Sequence, residues 1–147
     1  MNEEQKNTGM DDFTRRYLYV LLMIVLAGFA WWFSSLDFQA SAINKVLKAD
    51  AELANYKYPF RVISLKNGVA QVSSPRSAEL PAIQSLRIMY PELQQSSVDS
   101  EEVKAAQDEL ARMQSYAGKL IGNQEGVNSV SWVLDRKWLA KHGVQVD

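Results

Sequence analysis

The feature that most constrains this chain is the apolar stretch RRYLYVLLMIVLAGFAWWFSSLD, which occupies residues 15–37. Between Arg16 and Asp37, about twenty consecutive residues carry no charge. An α-helix of that length spans ~30 Å, which matches the hydrocarbon core of a lipid bilayer. A soluble domain would have to cover every face of such a helix, and the rest of the 147-residue chain is too short to do so. The sequence therefore predicts a single transmembrane helix over residues 15–36.

Aromatic and basic residues stand at the two ends of this stretch, where a spanning helix meets the lipid headgroups. Amphipathic aromatic rings favour the headgroup layer, and arginine is concentrated on the cytoplasmic side. We therefore predict that these end residues anchor the helix in the bilayer. They are Arg15, Arg16, Tyr17 and Tyr19 at one end and Trp31, Trp32 and Phe33 at the other.

A cleaved signal peptide is the main alternative to a retained anchor. Ala40, Ser41 and Ala42 form a small-x-small cleavage site. However, the apolar run is longer than the roughly 7 to 15 residues of a signal core, and bulky aromatic residues stand close to the cleavage point. We interpret the stretch as a retained membrane anchor.

The flanking cations predict the orientation of the helix. An arginine pair adjoins the start of the span, whereas the lysines after it are more distant. By the positive-inside rule the polar tail, residues 1–14, is predicted to be cytoplasmic and the C-terminal part periplasmic, in the inner membrane of a bacterium. The cations counted are Lys6, Arg15 and Arg16 before the span and Lys45 and Lys48 after it.

Residues 37–57 have the apolar spacing of an amphipathic juxtamembrane helix. Serines and an aspartate precede it as helix-start residues, and Pro59 requires it to end earlier. We predict that its stripe packs on the chain's own domain, in preference to pairing with another helix. The stripe recurs at steps of three or four residues and comprises Phe38, Ala42, Val46, Ala49, Leu53 and Tyr56.

The remaining residues, 58–147, predict a small α+β domain. Asn67-Gly68 between two apolar runs predicts a β-hairpin with a type I′ turn. The turn would pair Leu65 with Ala70, Ser64 with Gln71 and Ile63 with Val72.

The second half of this domain predicts two helices, a strand, a short helix and a last edge strand over residues 144–147. Gly143 would end the short helix. We predict an antiparallel sheet of three or four strands with the helices on one face. The inward positions of the long helix would be Val103, Ala106, Leu110, Met113, Ala117 and Leu120, and those of the strand Val130, Trp132 and Leu134.

A helix followed by GVNSVSWVL, residues 126–134, is similar to a stretch of ferredoxin-like and BON-type periplasmic modules. The similarity covers a minor part of the chain. It implies an α+β fold and transfers no functional residue.

Catalytic patterns are missing from the sequence. The chain has no cysteine, one histidine (His142) and no glycine-rich loop that opens a helix, and its adjacent helical acids point in different directions. We therefore expect no enzymatic activity, no metal site and no cofactor. The net charge of −1 also argues against nucleic-acid binding.

A basic and aromatic cluster near the C-terminus is the candidate interaction surface. Its residues would contact an acidic partner or anionic lipid headgroups, the alternative being two core tryptophans beside a solvated basic edge. The cluster comprises Trp132, Arg136, Lys137, Trp138 and Lys141.

These observations favour a single-pass inner-membrane protein whose periplasmic domain is a non-enzymatic interaction or scaffold module of an envelope assembly. Its expected partners are the lipid bilayer and a protein in the membrane or periplasm. The alternative is an anchored domain that binds or senses a small molecule or cell-wall fragment. Its pocket would lie between the hairpin and the long helix, lined by some of Tyr56, Tyr58, Phe60 and Trp132.

The predicted orientation can be tested with reporters fused after Asp147. Alkaline phosphatase, which folds only in an oxidising compartment, should be active there, and green fluorescent protein exported by the general secretory route should be dark. The same reporters fused before Met1 serve as the opposite control. The opposite result at the C-terminus, an inactive phosphatase fusion and a fluorescent green fluorescent protein fusion, would show that the orientation is the reverse of the one predicted.

Overall fold

A computed structural model of the chain describes residues 11–35, 37–78 and 80–146, without the side chains of Ser34 and Ser35. The chain divides into two compact units, Met1–Leu36 and Asp37–Asp147.

Where the structure describes it, the first unit consists of one helix, α1, which extends over Asp12–Ser35. Its 24 residues correspond to ~36 Å of helix, long and apolar enough to cross a membrane, a criterion that signal sequences and core helices also satisfy. The helix begins three residues before the predicted start, with Asp12 at the positive end of its dipole. Residues 1–10 of the predicted tail lie outside the described residues. All of the predicted anchor residues, from Arg15 to Phe33, lie on α1 and are exposed.

The second unit is an α+β domain with three strands. Its elements in chain order are α2 (Phe38–Ala49), α3 (Ala51–Asn55), β1 (Val62–Lys66), β2 (Val69–Ser74), α4 (Ala82–Met89), a 3₁₀ turn (Pro91–Leu93), α5 (Glu101–Gly122), β3 (Ser129–Leu134) and α6 (Arg136–Lys141).

The sheet is mixed, so the predicted antiparallel sheet is wrong. The strand order is β1-β2-β3; β1 pairs antiparallel with β2, and β2 pairs parallel with β3. After β2 the chain returns through α4 and α5, and the N–H of Asn128 donates to the Gly68 carbonyl at the start of β2, at 2.7 Å. A strand that starts beside the start of β2 runs parallel to it. The predicted last strand is not formed at Val144–Val146, and Asp147 lies outside the described residues.

The hairpin turn is confirmed, but the register of the hairpin changes after three pairs. Asn67 and Gly68 have φ of 51° and 75°, the two positive values that a type I′ turn requires. Leu65 pairs with Ala70 and Ser64 with Gln71, as predicted. A bulge then makes Val62, instead of Ile63, the partner of Val72, so Val62 is buried and Ile63 is exposed.

The predicted helix over 37–57 is two helices, and α2 buries a different face from the one predicted. Asp50 ends α2, and its carboxylate caps α3 by accepting from the N–H groups of Glu52 and Leu53, both at 3.0 Å. Ala40, Ile43 and Leu47 of α2 are buried, whereas Phe38 is 61% exposed. Ile43 and Leu47 offer more apolar area than the alanines of the predicted stripe, so this face has the larger hydrophobic gain.

The core lies between the sheet and helices α2 and α5. The predicted inward stripe of α5 is confirmed at Val103, Leu110, Met113 and Ala117, and its last buried residue is Ile121. The core includes residues of α2, the strands and α5, so α2 belongs to the fold of the domain. Among its members are Ala40, Ile43, Leu47, Val62, Leu65, Ala70, Val72, Leu110, Met113 and Ala117.

The outer edge of β1 is closed by two side chains, those of Asp37, which precedes α2, and of Asn44 within α2. The side-chain amide of Asn44 donates to the Val62 carbonyl at 2.8 Å and accepts from the Val62 N–H at 2.7 Å. The Leu65 N–H donates to Asp37, whose other carboxylate oxygen caps α2 through Ala40 at 2.9 Å. Asn44 therefore pairs with Val62 as a neighbouring strand would.

Removing this closure should weaken the domain. In Asn44→Ala both backbone groups of Val62 lose their partners beside the core, and we expect the free energy of unfolding to fall by about 1–3 kcal/mol. Urea unfolding of the full chain in detergent micelles, followed by tryptophan fluorescence, measures this change. Asn55→Ala, which removes an exposed bond within one helix turn, should change stability by less than about 0.5 kcal/mol. Equal effects of the two substitutions on stability would contradict the role of Asn44 in closing the edge of β1.

Candidate functional site

Five aromatic rings meet where the segment before β1 passes β3 and α6. The Tyr58 ring packs edge-on against Phe60 and Trp138, with centroid separations of 4.9 and 5.2 Å. Phe60 packs edge-on against Trp132 at 5.9 Å and is stacked with Tyr56 at 6.0 Å. These contacts hold residues 56–60 against the end of the sheet.

A buried carboxylate, Asp135, lies beside this cluster between β3 and α6. Its side chain is 2% exposed and accepts from the Tyr58 hydroxyl at 3.0 Å and the Arg61 guanidinium at 2.9 Å. It also caps α6 by accepting from the Trp138 N–H at 3.1 Å. Burial of an unpaired carboxylate is costly, and three donors satisfy this one. Asp135 therefore joins the segment before β1 to the corner after β3.

Tyr58 is fully buried, and its ionisation is suppressed. Burial is the largest cause of the rise in the pKa of Tyr58 above its ordinary value of about 10. The Ser73 hydroxyl acts in the opposite direction, and the carboxylate of Asp135 adds to the rise. Tyr58 is thus a neutral donor to Asp135 over the physiological pH range.

An open groove of about 750 Å³ lies next to this junction. We call it the basic groove. Four cationic side chains and one carboxylate line it, and the carboxylate is Asp135, already satisfied by its three donors. Its remaining walls are mostly apolar. The lining residues are Pro59, Arg61, Val62, Ile63, Val133, Leu134, Asp135, Arg136, Lys137, Trp138 and Lys141.

The three cations of α6 in this groove are exposed. Arg136 donates to the Val146 carbonyl at 3.3 Å. Lys137 and Lys141 form no ion pair with any residue that the structure describes. Arg61 is half-exposed, although it pairs with Asp135. The groove consequently presents positive charge, on a chain whose formal net charge is −1.

The structure brings together four of the five residues of the predicted interaction surface. Arg136, Lys137, Trp138 and Lys141 line the basic groove. Trp132 lies instead against the core, where it packs on Phe60. Trp132 therefore fits the alternative interpretation, in which the tryptophans belong to the core. Trp138 is half-buried, packs against the core and also lines the groove.

Sequence reasoning missed Arg61 and Asp135. An aspartate three residues before Trp138 in LDRKW is a helix-cap pattern, which could have indicated the role of Asp135 in α6. Nothing in the pattern links Arg61 to it, because 74 residues separate the two.

The aromatic residues predicted to line a ligand pocket contact one another. Tyr58, Phe60 and Trp132 form the ring cluster described above. Tyr56 and Phe60 also border a recess of about 250 Å³ beside Leu47 and Leu53. This recess lies on one side of the cluster.

Metal-ligating side chains are dispersed in the described part of the chain, and the single histidine lies at the end of α6. No set of three or more histidine, aspartate or glutamate side chains there could hold a metal ion. His142 is exposed, packs on Trp138 with ring centroids 4.6 Å apart, and its Nδ1 lies 2.7 Å from the Trp138 carbonyl oxygen. It contributes to the C-terminal end of α6.

Comparison of the chain with protein-family models, with curated proteins and with solved structures found no match.

The buried state of Tyr58 predicts a loss of stability in alkali. The unfolded chain ionises this phenol near pH 10, whereas the folded chain keeps it neutral to higher pH. The free energy of unfolding should therefore fall as pH rises above about 10, by up to ~1.4 kcal/mol per pH unit for such a tyrosine. Tyr58→Phe should reduce this slope and cost about 1.5–3 kcal/mol at pH 7, because the lost hydrogen bond goes to a buried carboxylate. Urea unfolding of the parent and the variant at pH 7, 9, 10 and 11 measures the pH slope and the loss of stability at pH 7. Equal slopes in the parent and the variant would contradict the prediction.

Proposed function

We propose that this chain is a single-pass membrane protein whose second unit is a non-enzymatic protein-interaction module. It would act as an accessory or scaffold subunit of a cell-envelope assembly. The observation that carries the proposal is the basic groove, where exposed cations stand beside apolar side chains and a half-buried tryptophan. Arginine and tryptophan beside apolar surface are typical of protein-binding sites.

The membrane location is part of the same proposal. It is supported by α1, which is long and apolar enough to span a bilayer, and by the aromatic residues at its ends. The arginine pair before the span supports a cytoplasmic N-terminus and a periplasmic second unit in a bacterial inner membrane. The groove would then face partners outside the cytoplasm.

The non-enzymatic part of the proposal is supported by the state of the polar groups near the groove. Asp135 is the buried carboxylate there, and both of its oxygens accept hydrogen bonds, from Tyr58, Arg61 and Trp138. A general base needs a free lone pair directed at a substrate. Asp135 is therefore better suited to hold the fold than to move protons.

A ligand-binding or sensory domain is the alternative function. The recess beside Tyr56 and Phe60 supports it, because aromatic and aliphatic side chains line it. Its volume of about 250 Å³ is below the roughly 300–1,000 Å³ usual for small-molecule sites. The basic groove is open, and its exposed cations stand beside apolar side chains, which favours a protein partner.

Charge reversal in the groove tests the proposed function. The full chain carries an affinity tag, is solubilised from native membranes in mild detergent, and co-purifying proteins are quantified by mass spectrometry. Lys137→Glu combined with Lys141→Glu should lower the yield of a specific partner about fivefold or more, because charge reversal replaces attraction by repulsion.

The matched control reverses two exposed lysines elsewhere, Lys66→Glu with Lys119→Glu, so that the net charge changes equally. The control should retain the partner. Recovery of an isolated monomer, with no partner seen after cross-linking in intact membranes, would argue against an interaction module.

A further inference from the structure

The two outer edges of the sheet differ in whether their backbone groups have hydrogen-bond partners. Asn44 and Asp37 occupy the outer edge of β1. Within the described residues, the backbone of β3 receives no hydrogen bond from beyond its ladder with β2 and its contact with Gly68. One edge is therefore closed and the other is open.

The ladder shows which groups of β3 face outward. The N–H of Ser129 donates to Gly68 at 3.1 Å, and six residues later the N–H of Asp135 donates to Ser74 at 2.8 Å. Backbone groups alternate in direction along a strand, so odd-numbered residues face β2. The N–H and C=O groups of Val130, Trp132 and Leu134 consequently point away from the sheet.

Devices that usually protect an open edge are missing from β3. Its sequence SVSWVL contains no proline and no charged residue, and its register with β2 is unbroken by a bulge. Natural sheets normally carry one of these features on an exposed edge. An uncharged strand of six residues with free outward groups is a template for another strand.

The side chains next to this edge are also incompletely covered. Val130, Trp132 and Leu134 are half-buried, whereas their neighbours Ala70 and Val72 in β2 are fully buried. A strand added beside β3 would cover this apolar row with its own alternate side chains. The occupant should therefore alternate apolar residues on one face.

The charges at the end of β3 indicate the chemistry of the segment that would bind at this edge. Val133 and Leu134 belong both to β3 and to the basic groove, so the open edge meets the groove at that end. Arg136 and Lys137 follow in the chain, separated from β3 by Asp135. An extended segment with acidic residues at that end would satisfy both the backbone groups and the cations. A lipid headgroup would satisfy only the cations.

We propose that an extended acidic segment of a partner protein adds to the open edge of β3 as a fourth strand. Its alternate apolar side chains cover Val130, Trp132 and Leu134, and its acidic end reaches the basic groove. This inference rests on the proposed function, because it specifies how the interaction module holds its partner.

The test places a photo-cross-linker at the junction of edge and groove. Val133, which is 36% exposed, is replaced by p-benzoylphenylalanine in the full chain, and cells are irradiated with the protein in its membrane. Mass spectrometry identifies the cross-linked peptide. The expected product is a short segment of another protein that combines alternating apolar residues with acidic ones.

Substitutions at the edge of β3, made in the protein that carries the cross-linker at position 133, show whether backbone hydrogen bonds hold the segment. Val130→Pro removes an outward N–H and should lower the cross-linked yield about fivefold or more, as expected for loss of at least one hydrogen bond and closure of the edge. Val130→Ala removes the same side chain but keeps the N–H, and should stay within about twofold of the parent.

A second pair of variants tests the same edge without proline, which can itself cause misfolding. Ser131 is exposed on the outer face of β3, so its replacement leaves the core intact. Ser131→Asp should repel an acidic segment and reduce the yield, whereas Ser131→Asn should not. Tryptophan fluorescence and urea unfolding confirm that each variant is folded.

Each outcome decides between the two proposals. A cross-linked partner whose yield is equal in Val130→Pro and Val130→Ala keeps the interaction module and overturns strand addition. Cross-links to a second copy of this chain, or to lipid alone, overturn the proposed occupant. No cross-linked product at Val133, together with no partner in the co-purification experiment, overturns both.

Discussion

The buried carboxylate of Asp135 is the interaction on which the organisation of the domain depends. An unpaired carboxylate in this position would cost several kcal/mol, so the corner after β3 requires its three donors to be in place. Tyr58 and Arg61 come from the segment before β1, and the Trp138 N–H comes from α6. Because β1 and β3 are the outer strands, one side chain joins both sides of the sheet across β2. The same contact places Arg61 beside the cations of α6, and this produces the basic groove.

Closure of one edge of the sheet follows from the position of α2. Its side chain Asn44 occupies the backbone groups of Val62, so this edge cannot accept another strand. The edge of β3 and the groove beside it have no such cover within the described residues. The unpaired backbone groups at the edge of β3 therefore lie next to the exposed cations of α6. Both the interaction module and strand addition place the partner on that side.

Local patterns predicted the elements well and their arrangement less well. Asn67-Gly68 specified the turn because few other residues tolerate two positive φ values, and the spacing of α5 specified its buried face. The parallel pairing of β3 was missed, although a strand that follows a helical crossover is normally parallel. The bulge beside Ile63 and the buried face of α2 could not be read locally. In α2 two apolar stripes compete, and the contacts available to Ile43 and Leu47 decide between them.

By itself the sequence determined the features that depend on neighbours a few residues apart. These are the apolar length of α1, the hairpin turn, the helical spacing of α5 and the cations of α6. Only the tertiary structure decided that Arg61 meets Asp135, that Asn44 closes β1, and that β3 remains open. Propensity and turn chemistry act within one or two helical turns, so they leave a pattern in the residue order. Contacts between residues up to 77 positions apart depend on how the whole core packs, and no local pattern records them.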